Sequence, residues 1–327
     1  MTQNETRARQ AGFSLIELTI AMTATMVIAG AIFGLMTAGN SAFRREPGLA
    51  DRQQNIRMGM DIIARDIYRT GQGIPTFAQV FANGRDAVGP MGSSGQSSDE
   101  IEMVATSDCG TKRICKIAGL VYNVQTEFTA CYGFPTPVVL IDTANHDLGV
   151  FWAPEGHSDN SCGTSGAKNG MINLPPGQSD LNYPGGPGFV PDFILVGEIA
   201  RYRIAVDTEG VPNLERSRTG GVDVGENTWE IIARGIEDLQ VEYLNGTGWS
   251  DEPGVVSCGA TCAAPTQAEY DTIVQRVRVR LSARALVVNV QGQTTAPGGP
   301  DAVRGELISE FAPKAAQTSL GIWNGEM

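Results

Sequence analysis

Thirty-one residues from Phe13 to Phe43 contain one charged side chain, Glu17. As a helix that run is about 46 Å long, more than the roughly 30 Å of a bilayer's hydrocarbon core. A carboxylate in such a segment costs about 2.5–3.5 kcal/mol on insertion scales, so its retention needs a partner or a task. Ahead of the run lies a polar leader, Met1 to Gly12, with Arg7 and Arg9. Basic residues before a span hold that end in the cytoplasm and send the remainder outward. An ordinary secretory signal has an apolar region of about 7–15 residues, half the length seen here, and would not carry Glu17 inside it. A plain anchor gives Glu17 no purpose.

The rest of the chain agrees with an exported protein. The formal charge of -12 argues against nucleic acid as a partner through bulk electrostatics. Forty Gly and 17 Pro point to a loop-rich domain, and about 255 residues beyond the helix are enough for a sizeable core. All six cysteines, Cys109, Cys115, Cys131, Cys162, Cys258 and Cys262, lie after the apolar run. An even count confined there fits disulfides in an oxidising compartment, with fifteen pairings possible. Proximity suggests Cys258–Cys262 and Cys109–Cys115, leaving Cys131–Cys162. A zinc site is the rival, but neither close pair has the two-residue spacing of common zinc ribbons.

Beyond the apolar run, Ile56, Met60, Ile63 and Ile67 recur at helical spacing and make one apolar face. Arg52, Arg57, Asp61, Arg65, Asp66 and Arg69 are expected on the rest of the surface. Asp51 is placed to cap this second segment, Pro47 to kink or break the helix before it, and Gly71, Gly73 and Pro75 to end it. The segment from Gly71 to about Pro191 reads as a disulfide-stapled, loop-rich insertion. Short strands are expected at Glu100–Ala105, Gly119–Asn123, Val138–Ile141 and Gly149–Trp152, and loop over Gly156–Gly188. The last third reads as strands: Phe193–Asp207, Asn213–Ser217, Trp229–Ala233, Ile236–Leu244 and Gln275–Val290. In the last of these, Val277, Val279 and Leu281 alternate with Arg276, Arg278 and Arg280. The arginines form either a solvated sheet face or a docking surface for acidic neighbours.

The expected class is α+β: a long N-terminal helix, membrane-spanning in its first half and amphipathic in its second, on an antiparallel sheet with a loop-rich insertion. The expected divisions are a cytoplasmic leader over 1–12, the helix over 13–70 (spanning at about 13–36), the insertion over 71–190 and a C-terminal sheet region over 191–327. Gly30 and Gly34 form a small-xxx-small pair that lets helices approach closely.

A basic leader ending in Gly12, then Phe13, then Glu17 at the fifth position after that Gly, then a long apolar helix, resembles a type IV prepilin. The resemblance implies cleavage by a prepilin peptidase between Gly12 and Phe13, N-methylation of Phe13, and Glu17 as the assembly carboxylate that pairs with a neighbouring subunit's terminal amine. Cleavage would remove Glu5, Arg7 and Arg9, one of 36 acidic and two of 24 basic residues, taking the charge from -12 to -13. The order Ile199-Ala200-Arg201-Tyr202-Arg203-Ile204, Leu214-Glu215-Arg216, Gly235-Ile236-Glu237-Asp238-Leu239-Gln240-Val241-Glu242-Tyr243 and Val277-Arg278-Val279-Arg280-Leu281 is similar to PilW-type minor pilins of type IVa pili. The tail after Ala285 departs from that pattern.

Catalytic signals are weak. His146 and His157 lie in loop-like sequence, and no nucleophile elbow, phosphate loop or helical metal pair is present. No cofactor is expected. Calcium is the one candidate, with Asp142 and Asp147, or Asp207 and Glu209, as hard oxygen donors.

The resemblance implies a non-enzymatic minor pilin that helps initiate or cap a pilus. Its partners would be other minor pilins, the major pilin, the prepilin peptidase and the inner-membrane assembly platform. It would reside in the inner membrane as a single-pass protein with a periplasmic C-terminal domain, then in the pilus. The alternatives are a J-class minor pseudopilin of a type II secretion system, or a tip-borne adhesin or sensor.

Overall fold

A computed structural model describes residues 14–72, 74, 80–81, 98–106, 112–118, 121–124, 136–144, 147–153, 155–159, 169–173, 190–218, 229–253, 274–286 and 301–313. One helix, α1 (Leu15–Arg69), runs 55 residues, or about 82 Å. It continues unbroken through Pro47, so no second cap at Asp51 is needed. Proline removes one backbone donor there, and the residue whose carbonyl loses its partner, Phe43, is exposed, so solvent can supply the missing bond.

The strands are β1 (Ile101–Thr106), β2 (Lys112–Ala118), β3 (Val121–Val124), β4 (Thr136–Asp142), β5 (Asp147–Ala153), β6 (Glu155–Asp159), β7 (Asn169–Asn173), β8 (Phe193–Val206), β9 (Pro212–Ser217), β10 (Glu230–Arg234), β11 (Ile236–Asn245), β12 (Gly248–Ser250), β13 (Arg276–Arg284) and β14 (Arg304–Phe311). Among the described residues they form a ten-stranded and a four-stranded sheet, with every pairing antiparallel. The chain is therefore α+β, as its patterning implies.

Strand β8 organises the larger sheet. Its first residues pair with β4 and β2, and its later ones with β1 and β9. Near its start it is buried on both faces: Leu195 joins the core under the helix, while Ile194 and Val196 join a second cluster with Val138 and Leu140. Two buried faces explain why this stretch of sequence is continuously apolar rather than alternating. The segment read as an insertion thus adds β1, β2 and β4 directly to β8. It also contains β6 and β7, where Gly, Asn and Ser suggest loop. These two short strands pair with each other and β7 with β3, so ladder hydrogen bonding outweighs poor strand propensity.

The four-stranded sheet has the order β12-β11-β13-β14. Apolar rungs Leu239–Leu281, Val241–Val279 and Tyr243–Val277 alternate with polar rungs Gln240–Arg280 and Glu242–Arg278. Val277, Val279 and Leu281 are fully buried against α1's side of the sheet. Strand β14, absent from the sequence reading, escapes it because its outer face mixes Glu306, Ile308 and Glu310, with Ile308 53% exposed. Such a face has no clean alternation of apolar and polar positions. Ser98 and Asp99 join the two sheets: the Asp99 N–H donates to the Leu239 carbonyl at 2.8 Å, and its Oδ2 accepts from the Val241 N–H at 2.8 Å.

The second half of α1 lies across β1, β10, β13 and β14. Ile56, Met60, Ile63 and Ile67 are all buried in the main core, as their spacing requires. Asp66, expected on the polar surface, is buried as well. Gly59 permits the close crossing: a Cβ there would stand 3.0 Å from Leu214 Cδ2 and 3.5 Å from Leu281 Cδ1.

Gly210 and Gly235 both have φ +77°, but a Cβ would meet nothing within 4 Å at Gly210 and the Arg284 carbonyl oxygen at 2.8 Å at Gly235. Gly210→Ala should therefore cost about 1 kcal/mol from backbone strain alone. Gly235→Ala should cost about 1–3 kcal/mol more, because the β10–β11 corner and β13 must separate. Urea unfolding of the two variants in detergent checks this. Equal losses would show that the contact is relieved without cost.

Candidate functional site

The helix has two environments. Leu15–Thr37 is a 23-residue stretch of mean hydropathy 2.0, and none of it is buried by the rest of the chain. Leu15, Val27, Phe33 and Leu35 are each more than 70% exposed. Its threonines are compatible with an apolar solvent because each hydroxyl donates to a carbonyl one turn back: Thr19 to Ile16 at 2.9 Å, Thr23 to Ile20 at 2.9 Å, Thr25 to Ala21 at 2.7 Å and Thr37 to Gly34 at 2.9 Å. Gly30 and Gly34 lie one turn apart, and a Cβ at either would meet nothing within 4 Å. Among the described residues no contact requires glycine at these positions.

Glu17 stands in the first turn. Ser14 is extended, with φ -72° and ψ 141°, and its N–H donates to Glu17 Oε2 at 3.3 Å. A carboxylate here satisfies one of the unpaired amides of the helix start and faces the positive end of the helix dipole. Gly12 and Phe13 lie outside the described residues.

The junction of helix and sheets is polar and partly buried. Arg52 Nη1 donates to the Arg304 carbonyl at 2.6 Å, and Gly305 leaves room for it, since a Cβ there would lie 2.8 Å from the guanidinium carbon. Asn55 donates to the Arg234 carbonyl at 3.1 Å. Deeper in, Asp66 forms a 2.7 Å ion pair with Arg216 and accepts a hydrogen bond from the Tyr202 hydroxyl. Burial, and then the neighbouring Asp66 charge, push the Tyr202 hydroxyl's pKa up, so it stays a donor. Sequence reading placed Asp66 on the surface because only apolar positions were counted. Gly59, Ile63, Asp66 and Thr70 continue the same helical face, and that periodicity is the signal that finds it.

The row of Arg276, Arg278 and Arg280 faces outward, but its carboxylate partners belong to the same sheet. Arg278 pairs with Glu242 at 2.9 Å and Glu310 at 2.8 Å, Arg276 with Glu310 at 3.6 Å and Arg280 with Glu306 at 3.3 Å. Trp249 covers Arg278 at 4.0 Å. The row is therefore a charge ladder neutralised within the sheet, which removes the basis for reading it as a dock for acidic neighbours.

The proposed calcium donors are engaged otherwise. Asp142 accepts from the N–H of Ala144 at 3.0 Å and of Val190 at 2.7 Å. Asp207 accepts from the N–H of Val211 at 2.9 Å and of Glu209 at 3.0 Å, from Asn213 Nδ2 at 3.3 Å and from Arg234 at 3.1 Å. Glu209 reaches the same arginine at 3.4 Å. Among the described residues no group of three or more His, Cys, Asp or Glu is placed to hold a metal. Asp147 lies opposite Asp142 on β5. His157 lies on β6 rather than in a loop, and His146 is outside the described residues. Cys115, on β2, is disulfide-bonded. The other five cysteines lie outside the described residues.

Residues 7–33 match the family model described as the prokaryotic N-terminal methylation motif. Among solved structures, the chain is similar to a type IV-like pilin from Thermus thermophilus at 12% identity, over 81% of this chain and 96% of that one, with a TM-score of 0.29. No curated protein matches the chain.

The Val211 N–H and the other donors around Asp207 hold its carboxyl below the ordinary value of 3.8. A depressed carboxylate contributes stability that is present above its unfolded pKa and lost as pH falls through the lower, folded one. The gap in melting temperature between wild type and Asp207→Asn should therefore be full at about pH 5 and above, and should close as pH falls below 3.8. A gap independent of pH would mean that Asp207 acts through hydrogen bonding alone.

Proposed function

We propose that this chain is a minor pilin of PilW type, a non-enzymatic filament subunit made as a prepilin. The observation that carries the reading is the methylation motif over residues 7–33 on a helix whose apolar first half is wholly uncovered by its own protein. An exposed apolar helix of this length needs a bilayer or other helices around it. The motif supplies the reason for both in turn: residence in the membrane, then transfer to a helical bundle. The leader, Met1 to Gly12, stays in the cytoplasm. The sheets occupy the periplasm before assembly and the pilus surface afterwards.

In this reading a prepilin peptidase cuts between Gly12 and Phe13 and methylates the Phe13 amine. Glu17 then exchanges the Ser14 N–H for the Phe13 amine of a neighbouring subunit. Each charge offsets the desolvation of the other in the apolar bundle. Gly30 and Gly34 give neighbouring helices a close approach. The partners are other minor pilins, the major pilin and the inner-membrane assembly platform. The six cysteines form three disulfides that staple the exported region.

Mass spectrometry of chain co-expressed with a prepilin peptidase should show an N-methyl-Phe13 terminus and no free thiol, and Gly12→Ala should slow or block the cut. Cleavage after Ala29 or Ala31 would instead make the segment a secretory signal.

Glu17→Gln keeps size and hydrogen bonding but removes the charge. It should leave cleavage and the melting temperature of the exported region unchanged, and lower the number of surface pili at matched protein levels. Wild-type pilus numbers in Glu17→Gln would rule out ion pairing as this residue's role.

A further inference from the structure

Strand β14 closes the order β12-β11-β13-β14, and its hydrogen-bond phase leaves one edge open. The Ala285 N–H donates to the Val303 carbonyl at 2.9 Å, and the register from Arg284–Arg304 to Val277–Phe311 continues without a shift. Odd-numbered residues of β14 therefore bond to β13, and even-numbered ones face outward. Two further contacts agree. The Val241 N–H turns away from β13 to Asp99, which leaves the even residues of β11 and β13 to bond each other. The Arg304 carbonyl accepts from Arg52 on the helix, not from a strand. The backbone N–H and C=O groups of Glu306, Ile308 and Glu310 thus point away from the sheet, and none of them bonds to another described residue.

Such a row of unpaired groups is a template for another strand, and proteins blunt it with short strands, bulges or proline. At the opposite end of the sheet β12 is three residues long. Strand β14 has eight residues, no proline and no break in register. At the middle of its edge Ile308 is 53% exposed, between the exposed Glu306 and Glu310.

Charge decides what fits there. A second copy paired antiparallel about Ile308 would set Glu306 opposite that copy's Glu310, and like charges directly opposite are destabilising. Shifting the register to bring Arg304 opposite a second copy's Glu310 fails as well. The Arg304 side chain is 12% exposed and held by Glu237 at 2.7 Å, and its carbonyl is taken by Arg52. Across the sheet the charges alternate: Glu242 on β11, Arg278 on β13 and Glu310 on β14, at 2.9 and 2.8 Å, with Arg280 and Glu306 repeating the last step at 3.3 Å. The next strand in that alternation is basic.

We propose that the outer edge of β14 receives an extended strand of a partner protein, added antiparallel. That strand carries Lys or Arg opposite Glu306 and Glu310 and an apolar side chain opposite Ile308. Each of the three residues exchanges two backbone hydrogen bonds with the residue facing it, and specificity comes from the alternate side chains. The apolar pair removes Ile308 from water. The surface lies wholly on the sheet, so it stands or falls apart from the reading of the N-terminal helix.

The test adds a synthetic peptide, Thr-Lys-Thr-Val-Val-Lys-Thr, to the full chain in detergent micelles. Hydrogen exchange is followed by mass spectrometry and affinity by fluorescence anisotropy. The Glu306, Ile308 and Glu310 amides should exchange freely in the chain alone and become protected with the peptide. A peptide with Glu in place of both Lys should bind about tenfold more weakly, because two opposite-charge rungs become like-charge ones. Glu306→Gln combined with Glu310→Gln should remove that preference. Ile308→Pro deletes an outward donor and no bond to β13, so it should abolish binding while the melting temperature is kept. N-methylation of the peptide's first Val, opposite Ile308, makes the same test on an unaltered chain and should likewise abolish binding. No binding of the Lys peptide, or equal binding of the Lys and Glu peptides, would overturn the proposal. So would protection of the three amides in the chain alone: if sedimentation shows a dimer the occupant is a second copy, and if it shows a monomer the chain closes its own edge.

Discussion

The described strands are arranged around one contact, the burial of the Ile56, Met60, Ile63 and Ile67 face of α1 on the sheets. Fully burying each such side chain contributes roughly 1.5–3 kcal/mol, enough together to hold a long helix against two sheets. The same face brings Gly59 within reach of Leu214, Leu281 and Ala233, so strands from both sheets meet the helix at one point. Removing the helix would expose the floor of both sheets at once.

Polar groups set the register of that packing. Apolar stripes tolerate sliding, but the Asp66–Arg216 pair with Tyr202, and the Arg52 bond to the Arg304 carbonyl, do not. A buried ion pair adds little net stability, whereas leaving one member alone costs about 3–5 kcal/mol. The arrangement therefore penalises every other seating of the helix. Glu237, held by Arg284 at 3.4 Å and Arg304 at 2.7 Å, extends the same logic into the second sheet.

The uncovered half of the helix obeys a different constraint. Its backbone bonds are internal, its threonines return their hydroxyls to the helix, and a Cβ at Gly30 or Gly34 would meet nothing within 4 Å among the described residues. It is complete as a membrane segment and incomplete as part of a soluble fold. The proposed transfer from lipid to a bundle of like helices requires no refolding of the segment, only an exchange of its surroundings. Glu17, bonded to Ser14 in the isolated chain, is the group whose partner would change.

Much of this was legible in the residues. The apolar run and the place of Glu17 in its first turn are read from local order alone, because an apolar run is specified by length and composition, independently of what packs beside it. The Ile/Met stripe and the alternation of Val277, Val279 and Leu281 were equally plain, since periodicity of 3.6 or 2 survives without knowledge of the partner. Tertiary structure decided the rest. Whether Asp66 is surface or core depends on Arg216, 150 residues away in sequence. Whether Arg276, Arg278 and Arg280 form a dock or a closed ladder depends on the carboxylates that β11 and β14 place beside them. Whether β1, β2 and β4 stand apart or belong to the larger sheet depends on where β8 lends its edges. Local pattern fixes what each segment needs to bury or to solvate, and only long-range pairing determines which other segment meets that need.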